Sequence, residues 1–263
     1  MNMEYNNGKA YKKLGNIEMA DKLFDKMLET GKEIIDKNKD SDTGVNQSLS
    51  NELQIIFEKE GQKIKANIFK SGKYDLEWSD EKKSELNVRP FSVDRQISSP
   101  WKVNFSKELA GLPLKTPKPF IANELKSLTQ YDDEDIKYYS GTIQYFDTFE
   151  MGKVKGYKVY LVFGNVQEIA YIYISNKKVG TSWIAPFRME ITNFLKEGKN
   201  HLQVDVVNLW ANRLIGDGKK PKNERSTFTN VTKFDSADSE QYLRVSGLLG
   251  PVNIIYSKQV VLR

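Results

Sequence analysis

Cysteine is absent from this chain of 263 residues, and histidine occurs once, at His201. The first absence excludes disulfides, thiolate catalysis and zinc–thiolate centres. The second leaves a Ser–His–Asp triad a single candidate base and excludes a histidine-rich metal site. No apolar run approaches the roughly 18 residues that span a bilayer as a helix, and mean hydropathy is -0.58. Membrane spanning is therefore not expected. The first ten residues are polar and lack the apolar segment of a secretory leader, so no signal peptide is expected in them. The side chains left for chemistry are mainly carboxylates, lysine, arginine and tyrosine.

A strong charge of one sign is missing as well. Lys and Arg number 40 and Asp and Glu 35, a net charge of +5. The densest basic patch is Lys219, Lys220, Lys222 and Arg225, inside a polar stretch. Nucleic-acid binding needs a stronger stripe or a recognisable module, so no nucleic-acid partner is expected. What is present is the composition of a folded protein, 39% hydrophobic and 11% aromatic. A disordered chain carries far fewer aromatic and β-branched residues. The length suffices for one large domain or two small ones.

The pattern divides the chain into three parts: residues 1–50, 51–97 and 98–263. In the first, Ile17, Ala20, Leu23, Phe24, Met27, Leu28, Ile34 and Ile35 recur every three to four residues and predict an amphipathic helix. Asn16 is placed to cap it, and turn residues follow at 40–44. In the second part, four short strands are predicted, at 53–58, 63–69, 74–78 and 84–88. Glu60 with Gly61 forms one hairpin turn and residues 79–83 the other. They read as one small antiparallel sheet, too small to be stable alone.

The third part alternates with period two. Tyr157, Val159, Leu161 and Phe163 share one face of a strand, opposite Lys158. Ala170, Ile172 and Ile174 do the same, as do Leu202, Val204 and Val206. A closing strand is predicted at 252–262, with turns at Asn165 and across 176–180. Two-faced strands without long helical patterns between them predict a mainly β fold, an antiparallel sandwich.

Residues 171–208 then carry a recognisable series of motifs: Asn176, Gly180, Trp183, Pro186, Phe187, Ile191, Thr192, Leu195, Lys196, Gly198, Asn200 and Asn208. In this order they resemble the jelly-roll sugar-binding domain of family 2 glycoside hydrolases. The resemblance implies a galactose-binding-like jelly roll over 98–263. The sequence departs from the pattern at Lys177, where a hairpin glycine is usual, and at Glu190, where aspartate is usual. Residues 100–105 (PWKVNF), 136–142 (IKYYSGT), 212–217 (NRLIGD) and 246–252 (SGLLGPV) extend the likeness. They resemble the C-terminal region of family 106 glycoside hydrolases, the α-L-rhamnosidases, over roughly residues 72–263. In such enzymes the catalytic carboxylates lie on an upstream barrel, and a barrel takes at least about 200 residues. The resemblance therefore implies an accessory region whose partners are a carbohydrate or a glycosidase catalytic domain. It also implies a periplasmic or secreted location.

Glycoside hydrolysis needs two carboxylates about 5–9.5 Å apart. Glu168, Glu190, Asp205 and Asp217 are the candidates in the third part, and no motif pairs any two of them. His201 reads as a strand-edge residue. No cofactor is expected. A calcium ion would need several converging oxygens, for which residues 132–135 or Asn208, Asn212 and Asp217 are conceivable, but neither set has a ligand-loop spacing. Sugar binding needs flat aromatic faces beside polar groups, and Trp183, Trp210, Asn212 and Arg213 are the candidates. A tryptophan in this kind of sandwich can equally pack the core. Three readings stay open: a non-catalytic sugar-binding accessory region, a small glycosidase with an unrecognised carboxylate pair, and an interaction module built on the N-terminal helix.

Overall fold

Side-chain alternation decides which face of each strand is buried, and burial then pairs the strands into layers. Strand β15 (Gly198–Val207) buries Leu202, Val204 and Val206 and turns His201, Gln203 and Asp205 outward. Strand β12 (Ile169–Ile174) buries Ala170, Ile172 and Ile174 in the same way. Each fully buried Val, Leu or Ile contributes about 1.5–3 kcal/mol, so this phase is strongly specified. The computed structural model describes residues 55–262, except positions 61–62, 78–82, 92–93, 99, 107, 110–111, 114–115, 228, 231 and 236. The expected helix at 17–35, the glycine of the Gly61 turn and Trp78 lie outside the described residues.

The remaining strands, in chain order, are β1 (Ile55–Glu60), β2 (Lys63–Ile68), β3 (Gly72–Glu77), β4 (Lys83–Val88), β5 (Asp94–Ile97), β6 (Trp101–Phe105), β7 (Glu108–Leu109), β8 (Leu112–Pro113), β9 (Phe120–Ala122), β10 (Thr142–Met151), β11 (Tyr157–Gln167), β13 (Lys177–Ser182), β14 (Arg188–Glu190) and β16 (Gly247–Val261). One sheet runs β1-β2-β16-β11-β14, with β5 also paired to β16. The facing sheet runs β13-β12-β15-β10-β6-β9. The strand pairs between described residues are antiparallel, among them β11 with β16 and β10 with β15. The fold is a mainly β, antiparallel jelly-roll sandwich. Its core holds Val159, Leu161, Phe163, Val252 and Ile254 from the first sheet against Trp101, Val103, Ile143, Ile172 and Val204 from the second.

Four features differ from the sequence expectation. The four strands of residues 51–97 form, but not as one sheet. Strands β1 and β2 join the sandwich, because β2 pairs with β16 (Ala66 with Val260, Ile68 with Lys258). Strands β3 and β4 form a separate two-stranded ribbon, and Val88 from it is buried near Ala66 and Ile68.

Asn165 is not a turn. It lies within β11, where the register with β16 shifts between Phe163 and Asn165. At the adjoining Gly164 the backbone of Gly250 approaches so closely that a Cβ would stand 2.3 Å from its carbonyl oxygen. The turn between β12 and β13 is shorter than 176–180. Ser175 and Asn176 alone form it, both with positive φ (47° and 68°), as a two-residue hairpin loop requires. Lys177 is already paired with Ile174, so the missing glycine there costs the turn nothing.

Among the described residues, two short α-helices interrupt the strands, α1 (Glu134–Lys137) and α2 (Ala211–Gly218). Asp133 caps α1 by accepting from the Asp135 and Ile136 amides. Helix α2 is not among the elements expected from the sequence. Ala211, Leu214, Ile215 and Gly218 carry its helical spacing, but two glycines obscure it. Both glycines serve packing: a Cβ on Gly216 would stand 2.6 Å from Tyr138, and one on Gly218 would stand 2.1 Å from the Phe234 carbonyl.

Candidate functional site

Register brings the predicted sugar-binding residues to one end of the sandwich. Val207, the last residue of β15, pairs with Thr142 at the start of β10 and with Ile169 at the start of β12. Ala170 pairs with Ser182 at the end of β13. Residues 183–187, 208–246 and 131–141 therefore all leave the second sheet at the same end. Trp183 and Trp210 emerge there with 60% and 45% of their surface exposed, and Ile184, Leu209, Tyr242 and Val245 in the same loops are exposed too.

Asn212 and Arg213 lie below that surface. Asn212 is buried and spends both ends of its amide on one residue: Nδ2 donates to the Arg244 carbonyl at 2.7 Å, and Oδ1 accepts from the Arg244 amide at 2.8 Å. Arg213 is only 5% exposed. Its amide donates to Ser140 Oγ, which itself donates to the Leu209 carbonyl. Its guanidinium Nε and Nη2 are buried and have no hydrogen-bond partner. Burial pushes the hydroxyl of Tyr139 up to about 12, and the Arg213 charge opposes that shift.

Other buried polar groups fix the same loops. Asn208 Oδ1 accepts from the Gly141 amide at 2.8 Å, while Nδ2 donates to the Tyr139 carbonyl and to Ser246 Oγ. Asp217 accepts from the Ser226 amide, the Thr227 amide and Thr227 Oγ1. Such bonds satisfy backbone donors that burial would otherwise leave unpaired. At the surface, the Glu240 carboxylate gathers Lys219, Lys137 and the Tyr138 hydroxyl. Arg225 pairs with Asp235. Two members of the basic patch at 219–225 are thereby neutralised by partners in the chain.

The four candidate carboxylates occupy different surroundings. Glu190 pairs with Lys158, which also holds Glu58, on the outer side of the first sheet. Asp205 lies on the outer side of the second, where burial pushes its carboxyl above the usual carboxylate range while bonds from Gln203 and Gln144 oppose the shift. Two packed sheets are about 10 Å apart before side-chain length is added, so Glu190 and Asp205 cannot flank one glycosidic bond. Asp217 is fully engaged in the loops. Glu168 precedes β12 at the tryptophan end, and its amide donates to the Val207 carbonyl. His201 is exposed at the opposite end of β15. Among the described residues, no group of three or more His, Cys, Asp or Glu side chains converges as metal ligands would. Asn208, Asn212 and Asp217 each serve a separate backbone segment.

Sequence reasoning singled out the two tryptophans but not the exposed Leu209, Ile184 and Val245 beside them. Nor did it identify the clamping roles of Asn208, Asn212 and Asp217. A polar residue recurring within a motif beside glycines was the available signal for a clamp.

Comparison with known proteins bears on the family and the fold. A family model described as the sugar-binding domain of glycosyl hydrolases family 2 matches residues 71–248. A putative beta-glucuronidase of Formosa agariphila is 38% identical over 184 residues, which is 60% of this chain and 15% of that protein. The chain thus spans a small part of that relative's length. The solved rhamnosidase of Novosphingobium sp. PP1Y superposes with a TM-score of 0.55 at 22% identity, over 77% of this chain and 23% of that one. A beta-D-glucuronidase of Dictyoglomus thermophilum gives 0.44 at 17% identity, over 65% of this chain and 29% of the other. The rhamnosidase likeness bears on fold alone. The match of the family model extends over well more than half of the 263 residues, and the chain belongs to the sugar-binding-domain family of the family 2 glycosyl hydrolases.

Proposed function

We propose that this chain is a non-catalytic, sugar-binding accessory region of a glycoside hydrolase, working beside a catalytic domain that holds the reacting carboxylates. The observation that carries this reading is the exposure of Trp183 and Trp210 together at one end of a family 2 sugar-binding domain. Indole faces stack on the apolar faces of pyranose rings. Loops already held by internal hydrogen bonds lose little freedom when a ligand binds. Trp183 and Trp210 make the sugar contacts in this reading. Asn212 and Arg213 position Trp210 and the backbone at Arg244 from beneath.

For the catalytic partner we propose the α-L-rhamnosidase type, on the motifs at 100–105, 136–142, 212–217 and 246–252. A secreted or periplasmic location goes with it. A second reading, a β-glucuronidase-type partner, is favoured by the 38% identity to the Formosa agariphila protein. Calorimetric titration with short oligosaccharides ending in L-rhamnose or in D-glucuronate separates the two. The expected result is saturable binding of the rhamnose-ended series, weakened about tenfold or more by Trp183→Ala or Trp210→Ala, equivalent to about 1.4 kcal/mol. Preference for the glucuronate series would move the assignment to the second reading. Binding of neither would remove the sugar-binding role of this end.

A further inference from the structure

The outer face of the second sheet carries a second cluster of sugar-compatible side chains, set on the strands and not on the tryptophan loops. Strand pairing arranges it in rows. Tyr171 lies opposite Asp205, and Asp205 opposite Gln144. Two residues further along each strand, Tyr173 lies opposite Gln203, and Gln203 opposite Phe146. All six are half-buried, while their neighbours Ala170, Ile172, Ile174, Leu202, Val204 and Val206 fill the core. Three aromatic rings thus share a face with two amides and a carboxylate. Tyr171 and Phe146 lie on strands two apart and two residues out of step. A spacing of about 4.8 Å per strand and about 3.4 Å per residue separates their Cα atoms by roughly 12 Å. That span exceeds a single sugar ring.

The polar groups are organised rather than scattered. Gln203 Nε2 donates to Asp205 Oδ1 at 2.9 Å, and Gln144 bonds the same carboxylate. Lys178 Nζ lies over the Tyr171 ring, 4.7 Å from its centre, and holds that ring in place. Beside Phe146 and Gln203 the face opens into a cleft of about 550 Å³, lined also by Lys102, Thr148, Asn176 and His201. A carboxylate held on this face by two side-chain amides calls for further donors. A row of sugar hydroxyls supplies them, while the aromatic rings cover the apolar sides of the same rings.

We infer that this face is a second carbohydrate site, one that holds an extended polysaccharide chain across Tyr171, Tyr173 and Phe146 with its hydroxyls on Gln144, Gln203 and Asp205. The inference rests on the carbohydrate-binding reading above but places binding on a different surface. It gives the region two tasks: gripping a polymer along the sheet, and meeting a chain end at the tryptophan loops.

Affinity electrophoresis of the full chain through gels containing xyloglucan, as a neutral polymer, or polygalacturonate, as a uronate polymer, tests it. The wild type is expected to be retarded by at least one of them. Tyr173→Ala and Phe146→Ala should each weaken retardation at least fivefold, and Phe57→Ala, exposed on β1 of the other sheet, should leave it within twofold. Asp205→Asn keeps the size of the side chain and serves as the second variant should an aromatic truncation lower stability; it should weaken retardation as well. Retardation lost in Trp183→Ala but unchanged in Tyr173→Ala and Asp205→Asn would overturn the sheet site and leave the end-loop reading standing. A wild type retarded by neither polymer would also overturn the sheet site. The short-oligosaccharide titration judges the end-loop reading independently.

Discussion

The two sheets meet through apolar side chains, whereas the loops at one end of the sandwich are held by buried polar ones, and the contrast explains why the two regions look so different in sequence. Between the sheets, Val204, Ile172 and Leu161 need only be apolar and of suitable volume. Such a region leaves a periodicity and little else. At the loop end, Asn208, Asn212 and Asp217 each satisfy particular backbone groups, and few other residue types could replace them. Such a region leaves motifs. The polar residues of these motifs thus hold backbone, while Trp183 and Trp210 at the same end face solvent.

The largest expected effect lies between the sheets. Val204→Asp places an unpaired charge at a fully buried position. The cost is several kcal/mol, comparable with the stability of a whole domain, so cooperative thermal unfolding should be lost. His201→Asp, on the exposed face of the same strand, should change stability by no more than about 0.5 kcal/mol. A cooperatively folded Val204→Asp would show the strand phase to be wrong.

Next come the clamps. Asn208→Ala strips the Gly141 amide, the Tyr139 carbonyl and Ser246 Oγ of a partner at once. It should cost about 2–4 kcal/mol, read as a lower denaturation midpoint with the β-sheet circular dichroism of the native state retained. Asp217→Ala frees the Ser226 and Thr227 amides and should cost about 1–3 kcal/mol. Because the loss is local, proteolytic nicking within residues 219–235 should accelerate more than global unfolding does. Equal acceleration of both would erase the distinction between core and loop end.

The smallest effect is at the surface. Lys219, Tyr138 and Lys137 together hold the Glu240 carboxyl down to about 2 from its ordinary 4.5. A group depressed in the folded state stabilises fully above its unfolded value and loses that contribution as pH falls through the folded one. The difference between wild type and Glu240→Gln should therefore shrink as pH falls from 4.5 towards 2. Solvent screening at this exposed position keeps it under about 1 kcal/mol throughout. A difference that grows on acidification would contradict the assignment.

The sandwich was legible wherever its cause was local. Alternation at 157–163, 169–174 and 201–206 foretells the inner faces correctly, because one buried face per strand imposes period two. Strand β11 also buries Tyr160 and Val162 on its other face, where Phe69 and Arg188 cover the Tyr160 ring; no local pattern signals that cover. The pairing of Ala66 with Val260 joins opposite ends of the described chain, so β1 and β2 looked like a small sheet of their own. Helix α2 was hidden because Gly216 and Gly218 read as loop residues until Tyr138 and Phe234 are seen against them. At the candidate site, the aromatic character of Trp183 and Trp210 was visible. The burial of Asn212 and Arg213 depends on contacts with Arg244 and Ser140, far away in sequence.

The most direct test of the accessory role is nitrophenol release from aryl α-L-rhamnoside and aryl β-D-glucuronide by the purified chain, followed for hours. Glu190 and Asp205 lie on opposite sides of the sandwich and Asp217 is spent on the Ser226 and Thr227 amides, which predicts no release above the buffer rate. Turnover of either substrate that disappears in Glu168→Gln, with the fold intact, would contradict the account and make this chain an enzyme in its own right.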